Sequence, residues 1–159
     1  MITPIREIPA HVRTMLHDDV AEVSDIERRS YEFPWSHGVF RDCLLAGYQC
    51  AVVEREAVVV GYAVLSVAAG EAHILNLCID PMYRELGYGE RLLDEILSLA
   101  QEAEVSEVFL EVRPSNEKAI ALYKKKGFRN IAYRPAYYQA SGGREDAAVY
   151  SKILKKTSA

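Results

Sequence analysis

The chain has little of what several specialised protein classes require. No apolar run approaches the ~20 residues of a membrane-spanning helix. The first nine residues lack a continuous apolar core and include Glu7, which argues against a secretory signal. Cys43, Cys50 and Cys78 are an odd number with no metal-like pairing; Cys50 and Cys78 fall in apparent strands and read as small core residues in a reducing compartment. His11, His17, His37 and His73 stand at no metal-ligand spacing, so no metal is expected. Positive charge is in deficit: the net charge of −4 argues against nucleic acid and favours a basic peptide as partner. Internal repeats and low-complexity stretches are missing as well. These absences point to a cytoplasmic protein that engages neither a membrane nor nucleic acid.

What is present suits a globular α/β domain. The 159 residues, half of them hydrophobic, suffice for a single core but not for two ordinary domains. Residues 1–11, interrupted by Pro4 and Pro9, read as an N-terminal extension, 12–154 as the domain and 155–159 as a tail. Strands are expected at Val12–Leu16, Gln49–Glu54, Val58–Ala68, Glu71–Ile79, Glu107–Val112, Phe128–Tyr133 and Ala147–Ile153. Asp18 is the candidate N-cap of a helix reaching about Ser30, with Val20, Val23, Ile26 and Glu27 along one partial stripe. Ser36 can cap a short helix through Leu45. A helix from Tyr88 to Glu102 sets Leu92, Leu93, Ile96, Leu97 and Ala100 on one face. A last helix runs from Asn116 to Lys126 and ends at Gly127. The sum is an α/β (α+β) sheet, mostly antiparallel in its first half, with two βα units in the middle.

The functional signal is concentrated in Leu75–Leu93. An apolar strand stops at Asp80-Pro81, and a short loop carries Arg84, Gly87 and Gly89 into a helix. Strand, glycine turn and helix start present backbone N–H groups and the positive helix end to an anion. Two residues without Cβ let the main chain approach it. Arg-x-x-Gly-x-Gly fits a pyrophosphate cradle of the acyl-CoA type; it is neither a dinucleotide fingerprint nor a P-loop. The alternative for the loop taken alone is an ordinary strand-to-helix turn with two glycines. Downstream, Glu111-Val-Arg-Pro-Ser-Asn leads into Ala119-Ile-Ala-Leu-Tyr123, then Gly127-Phe128.

With both segments in view the chain resembles the GNAT N-acetyltransferases, and within them the RimI-type ribosomal-protein-alanine N-acetyltransferases. The closer likeness rests on Phe33-Pro34-Trp35-Ser36, Leu110-Glu111-Val112-Arg113-x-Ser115-Asn116, Ala119–Tyr123, Tyr137-Tyr138 and Gly143–Ala147, and runs from about Val12 to Leu154. The resemblance implies a GNAT fold whose middle strands splay apart to admit acetyl-CoA. It implies that main-chain groups of Leu77, Cys78 and Ile79 bind the pantetheine amides and that Arg84, Glu85, Leu86, Gly87, Tyr88, Gly89 and Glu90 form the pyrophosphate loop. Glu85 and Leu86 depart from the family, which commonly has a further basic or polar residue there, and Glu85 is expected to face solvent.

Glu111 shares its strand face with Phe109, opposite Val108, Leu110 and Val112. Spacing leaves a general base and a salt-bridged glutamate, paired with Arg113 or Arg134, equally open; the resemblance implies the base. Tyr123 reads on helix position as a core tyrosine, whereas the resemblance implies the acid that protonates the departing thiolate. Asn116 is either the contact to the pantetheine arm or only a helix N-cap, a role Ser115 can also fill. On the acceptor side, Phe33 and Trp35 either wall a peptide pocket or pack in the core. Tyr137 and Tyr138 either hydrogen-bond the peptide or pack in a hairpin. An α-amine (pKa ~8) is neutral roughly 200-fold more often than a lysine amine (~10.4) near pH 7, so a single glutamate suits an N-terminus better. The expected function is acetylation of the N-terminal alanine of a small-subunit ribosomal protein by direct transfer in a ternary complex, the enzyme being a monomer or weak homodimer. The rivals are another amine acceptor and a silent acetyl-CoA-binding module.

Overall fold

The computed structural model describes residues 9–155. They fall into two compact units: the described residues up to Leu65 with Asn76–Leu99, and Ser66–Leu75 with the chain from Ala100 onward.

In the first unit β1 (Ala10–Thr14), β2 (Gln49–Arg55) and β3 (Val58–Ala68) pair antiparallel in succession. Glu56 and Ala57, at φ 50° and 64°, make the β2–β3 turn. Two left-handed residues in a row match the right-handed twist of the flanking strands. Helices α1 (Val20–Ser30) and α2 (His37–Leu45) follow β1, and Val20, Val23, Ile26 and Phe40 are at most 1 % exposed. Ser36 caps α2 as expected, accepting the Val39 N–H at 3.3 Å. The unit also holds the end of β4 (Glu71–Ile79) and most of α3 (Tyr88–Glu102). Gly61 on β3 is where β4 comes close: a Cβ there would stand 2.9 Å from the Cys78 carbonyl oxygen and 2.9 Å from a Val53 methyl.

In the second unit the start of β4 pairs in parallel with β5 (Glu107–Val112), from Glu71↔Glu107 to Ile74↔Leu110; both strands continue past the last pair. Antiparallel β7 (Gly143–Ile153) lies on the other side of β5, and β6 (Arg129–Ala140) forms the edge. Between β5 and β6 runs α4 (Glu117–Lys125). The strand order is β1-β2-β3-β4-β5-β7-β6, a mixed and mostly antiparallel seven-stranded sheet.

Several local expectations need correction. The first strand is Ala10–Thr14, two residues earlier than its apolar pattern implied, and residues 1–8 of the expected extension lie outside the described residues. Asp18 does not cap α1. It sits inside a 3₁₀ turn, His17–Asp19, while the Asp19 carboxylate accepts the Leu16 N–H at 2.7 Å and both terminal nitrogens of Arg13 at 2.8 Å. The last hairpin is much longer than expected: β6 continues through Pro135 to Ala140, and β7 begins at Gly143. Proline is tolerated because β6 is an edge strand with no partner on one side among the described residues. The register slips between Arg134 and Tyr138, where Ala136 adopts φ 54° and gives its N–H to Asp146 Oδ1 at 2.8 Å. Asp146 therefore braces a bulge across the hairpin.

Candidate active site

The loop after β4 belongs to the first unit. Asp80 N–H bonds the Val60 carbonyl at 2.8 Å, and its carboxylate accepts the Met82 N–H at 3.1 Å and Arg29 at 2.7 Å. These bonds anchor the turn Pro81–Tyr83 at the strand end. Arg84 returns its Nε to the Ile79 carbonyl at 3.0 Å while its residue surface stays exposed. Glu85 (φ 64°) and Gly87 (φ 88°) then reverse the chain into α3, and Glu85 is exposed. The Tyr88 hydroxyl is buried with no hydrogen-bond partner among the described residues. Leu77 is half-buried, and Cys78 and Ile79 are buried, so the side chains of the last two belong to the core.

The same unit holds Phe33 and Trp35. Phe33 is 43 % exposed. Trp35 is half-buried and leans on the fully buried Phe40 at 5.3 Å, and Phe40 in turn meets Tyr62 edge-on at 5.4 Å. Core packing thus holds for the inner side of Trp35, leaving Phe33 outward. Behind them lies Glu27, a glutamate 2 % exposed.

In the second unit, alternation along β5 is as expected: Val108, Leu110 and Val112 are buried while Phe109 and Glu111 take the other face. The Glu111 side chain is only 6 % exposed. Its partners are His73 Nε2, by a hydrogen bond, and Arg134 at 3.7 Å. Arg113 is directed elsewhere, to the Gln139 carbonyl at 2.8 Å and to Glu145 at 3.6 Å. The two arginines also lie over the paired tyrosines, Arg134 over Tyr137 at 5.6 Å and Arg113 over Tyr138 at 4.5 Å. Tyr137 and Tyr138 meet edge-on at 4.8 Å. Burial, then the Glu111 charge, pushes the Tyr137 phenol up; Tyr138 rises further through burial, Tyr137 and Glu111. Both phenols therefore remain neutral donors near neutral pH.

Tyr123 on α4 is 8 % exposed and packs against Phe128 at 5.7 Å. Asn116 is the N-cap: its Oδ1 accepts the Ala119 N–H at 3.2 Å, which leaves the amide NH₂ as a donor. Ser115 does not share that role, because its hydroxyl donates to Glu145 at 2.7 Å.

Two residues were not assigned a role from sequence. For His73 the sequence offers only the metal-ligand reading, whereas the parallel pairing of β4 with β5 sets His73 opposite Phe109, two residues before Glu111, and its ring reaches that carboxylate; a parallel register is invisible in sequence. Glu27 falls on the otherwise apolar stripe of α1, and a charge in that stripe is the signal the sequence carries. Among the described residues no group of His, Cys, Asp and Glu could hold a metal ion, and no helix is long and apolar enough to cross a membrane.

Residues 20–128 of this mixed seven-stranded α/β chain match the acetyltransferase (GNAT) family. The chain belongs to that family and is an N-acetyltransferase. It is 34 % identical over 131 residues to the ribosomal protein bS18-alanine N-acetyltransferase of Escherichia coli, covering 82 % of this chain and 88 % of that one. It is 30 % identical over 144 residues to the enzyme of the same name in Haemophilus ducreyi, covering 90 % and 99 %. The crystal structure of the Escherichia coli enzyme superposes with a TM-score of 0.88 at 29 % identity over 94 % of this chain and 97 % of that one.

Proposed function

We propose that this enzyme transfers the acetyl group of acetyl-CoA to the N-terminal α-amine of a protein, the N-terminal alanine of a small-subunit ribosomal protein, in the cytoplasm and as a monomer or weak homodimer. The names of the relatives support the acceptor. The observation that carries the chemistry is the nearly buried Glu111 carboxylate, held by His73 within reach of the electrostatic influence of two phenols.

In the proposed reaction the Arg84–Glu90 turn binds the pyrophosphate through backbone N–H groups, and the β4 main chain at Leu77–Ile79 binds the pantetheine amides. The free amide of Asn116 donates to the same arm. Glu111 takes the proton of the incoming amine, directly or through water, with His73 fixing the carboxylate's orientation. The neutral amine attacks the thioester carbonyl, and Tyr123 protonates the departing thiolate. Tyr137 and Tyr138 donate to the acceptor backbone, and Phe33 flanks its first side chain.

The test is thiol release from acetyl-CoA with a peptide beginning Ala-Arg, beside the same peptide with a blocked N-terminus. Turnover confined to the free N-terminus is the expected result. Equal turnover on both would mean side-chain acetylation, and none on either would indicate a small-molecule acceptor or a silent binding module.

A further inference from the structure

Glu27 is a carboxylate inside the first unit, 2 % exposed, whose donors are all uncharged. Its Oε1 accepts the Tyr62 hydroxyl at 2.5 Å and the Asn76 side-chain amide at 2.9 Å; its Oε2 accepts the Trp35 backbone N–H at 2.8 Å. A buried charge is costly unless hydrogen-bonded, and an apolar residue on α1 would fill this place more cheaply. The three donors come from different places: β3, β4 and the loop between α1 and α2. Asn76 directly precedes Leu77, the first of the three strand residues assigned to pantetheine. Trp35 lies two residues beyond the exposed Phe33. One carboxylate thus ties the loop that carries Phe33 to the strand that carries the donor's main-chain contacts.

We propose that Glu27 is a positioning residue for the acceptor: one carboxylate oxygen holds the Phe33–Trp35 loop in the single shape that receives the peptide, while the other is braced by β3 and β4. The proposal rests on the assignment of that loop to the acceptor. The chemistry of the site explains why a carboxylate is used. Two oxygens must accept three N–H and O–H donors from two sides at once, which neither an amide nor a hydroxyl can do. In Glu27→Gln the amide oxygen can keep Tyr62 and Asn76, but the NH₂ then meets the Trp35 N–H, donor against donor. The loop is released while the strands stay braced.

The chain's single tryptophan is Trp35 itself, so its fluorescence reports the loop without a label. The experiment compares wild type, Glu27→Gln, Glu27→Asp and Tyr62→Phe, each saturated with acetyl-CoA. Peptide kinetics and quenching of Trp35 by acrylamide are read together. Glu27→Asp keeps the charge but is one methylene too short to reach both sides, and serves if the amide variant does not fold. Loss of the Trp35 bond is expected to raise the peptide KM about tenfold, leave kcat and the acetyl-CoA KM within about twofold, and make Trp35 more quenchable. Tyr62→Phe removes one brace but leaves the Trp35 bond in place, so it should move both readouts less than the Glu27 variants do. Unchanged quenching in the Glu27 variants, or an equal KM change in Tyr62→Phe, overturns the role of Glu27. Increased quenching with an unchanged peptide KM instead overturns the assignment of the loop to the acceptor. A wild type inactive on the peptide overturns the proposed acceptor itself, and the quenching arm still reads the loop.

Discussion

Glu111, the proposed base, sits in charged and polar company. A carboxylate 6 % exposed between His73 and Arg134 cannot turn freely, so its lone pairs point where the protein sets them. Glu111→Gln keeps the shape and removes the proton acceptor, and is expected to lower kcat by about 10²–10⁴. Tyr123→Phe keeps the ring against Phe128 and removes only the hydroxyl, so a similar fall in kcat is expected. Steady-state kinetics beside thermal denaturation checks both; near-wild-type turnover in either variant would remove that residue from the mechanism. At this scale sequence conveyed residue types well. Alternation along β5 placed Glu111 on the correct face because period two follows from the strand itself. It could not convey partners: Arg113 and Arg134 were equivalent candidates on paper, and only the slipped register of β6 directs Arg134 to Glu111 and Arg113 to Gln139.

Elements defined by one strong local signal were legible, and elements defined by a long-range partner were not. The apolar stripe of α3 is buried at Leu92, Leu93, Ile96 and Ala100 as its period requires. The β6–β7 hairpin reaches well beyond the expected strands Phe128–Tyr133 and Ala147–Ile153. The edge position of β6 and the Asp146 brace at Ala136 make that stretch a strand. Two substitutions probe elements directly. Gly61→Ala pushes a methyl into the Cys78 carbonyl and Val53, and is expected to destabilise by about 1–3 kcal/mol in urea unfolding. Asn116→Ala removes the α4 cap, which costs about 0.5–2 kcal/mol. If Asn116 also holds the pantetheine arm, the acetyl-CoA KM rises in the same variant. Asn116→Asp keeps the cap but loses the NH₂ donor, so a raised KM with normal stability would separate the two roles.

For the whole chain, pH reads how its buried charges are balanced. Arg13 joins β1 to Glu54 on β2 at 2.6 Å and to Asp19 at 2.8 Å. The Arg13 hydrogen bond holds the Asp19 carboxyl below its usual range, against the opposing effect of burial. A depressed carboxylate adds stability above its unfolded value of ~3.9 and loses it as pH falls through the folded value. On the alkaline side the signs reverse. Burial pushes the Cys50 thiol up to about 12 and raises the Cys43 thiol and the Tyr62, Tyr137 and Tyr138 phenols. Each of these adds stability that is full below its unfolded value, ~8.5 for Cys and ~10 for Tyr, and that drains away above it. Urea unfolding against pH should therefore show a plateau between about pH 4 and 8.5 with losses at both ends. Arg13→Ala should lower the plateau and flatten the acid limb, because Asp19 then titrates near its unfolded value. It should leave the alkaline limb in place. An acid limb of wild-type steepness in Arg13→Ala would mean that other carboxylates, and not Asp19, set the acid stability of the chain.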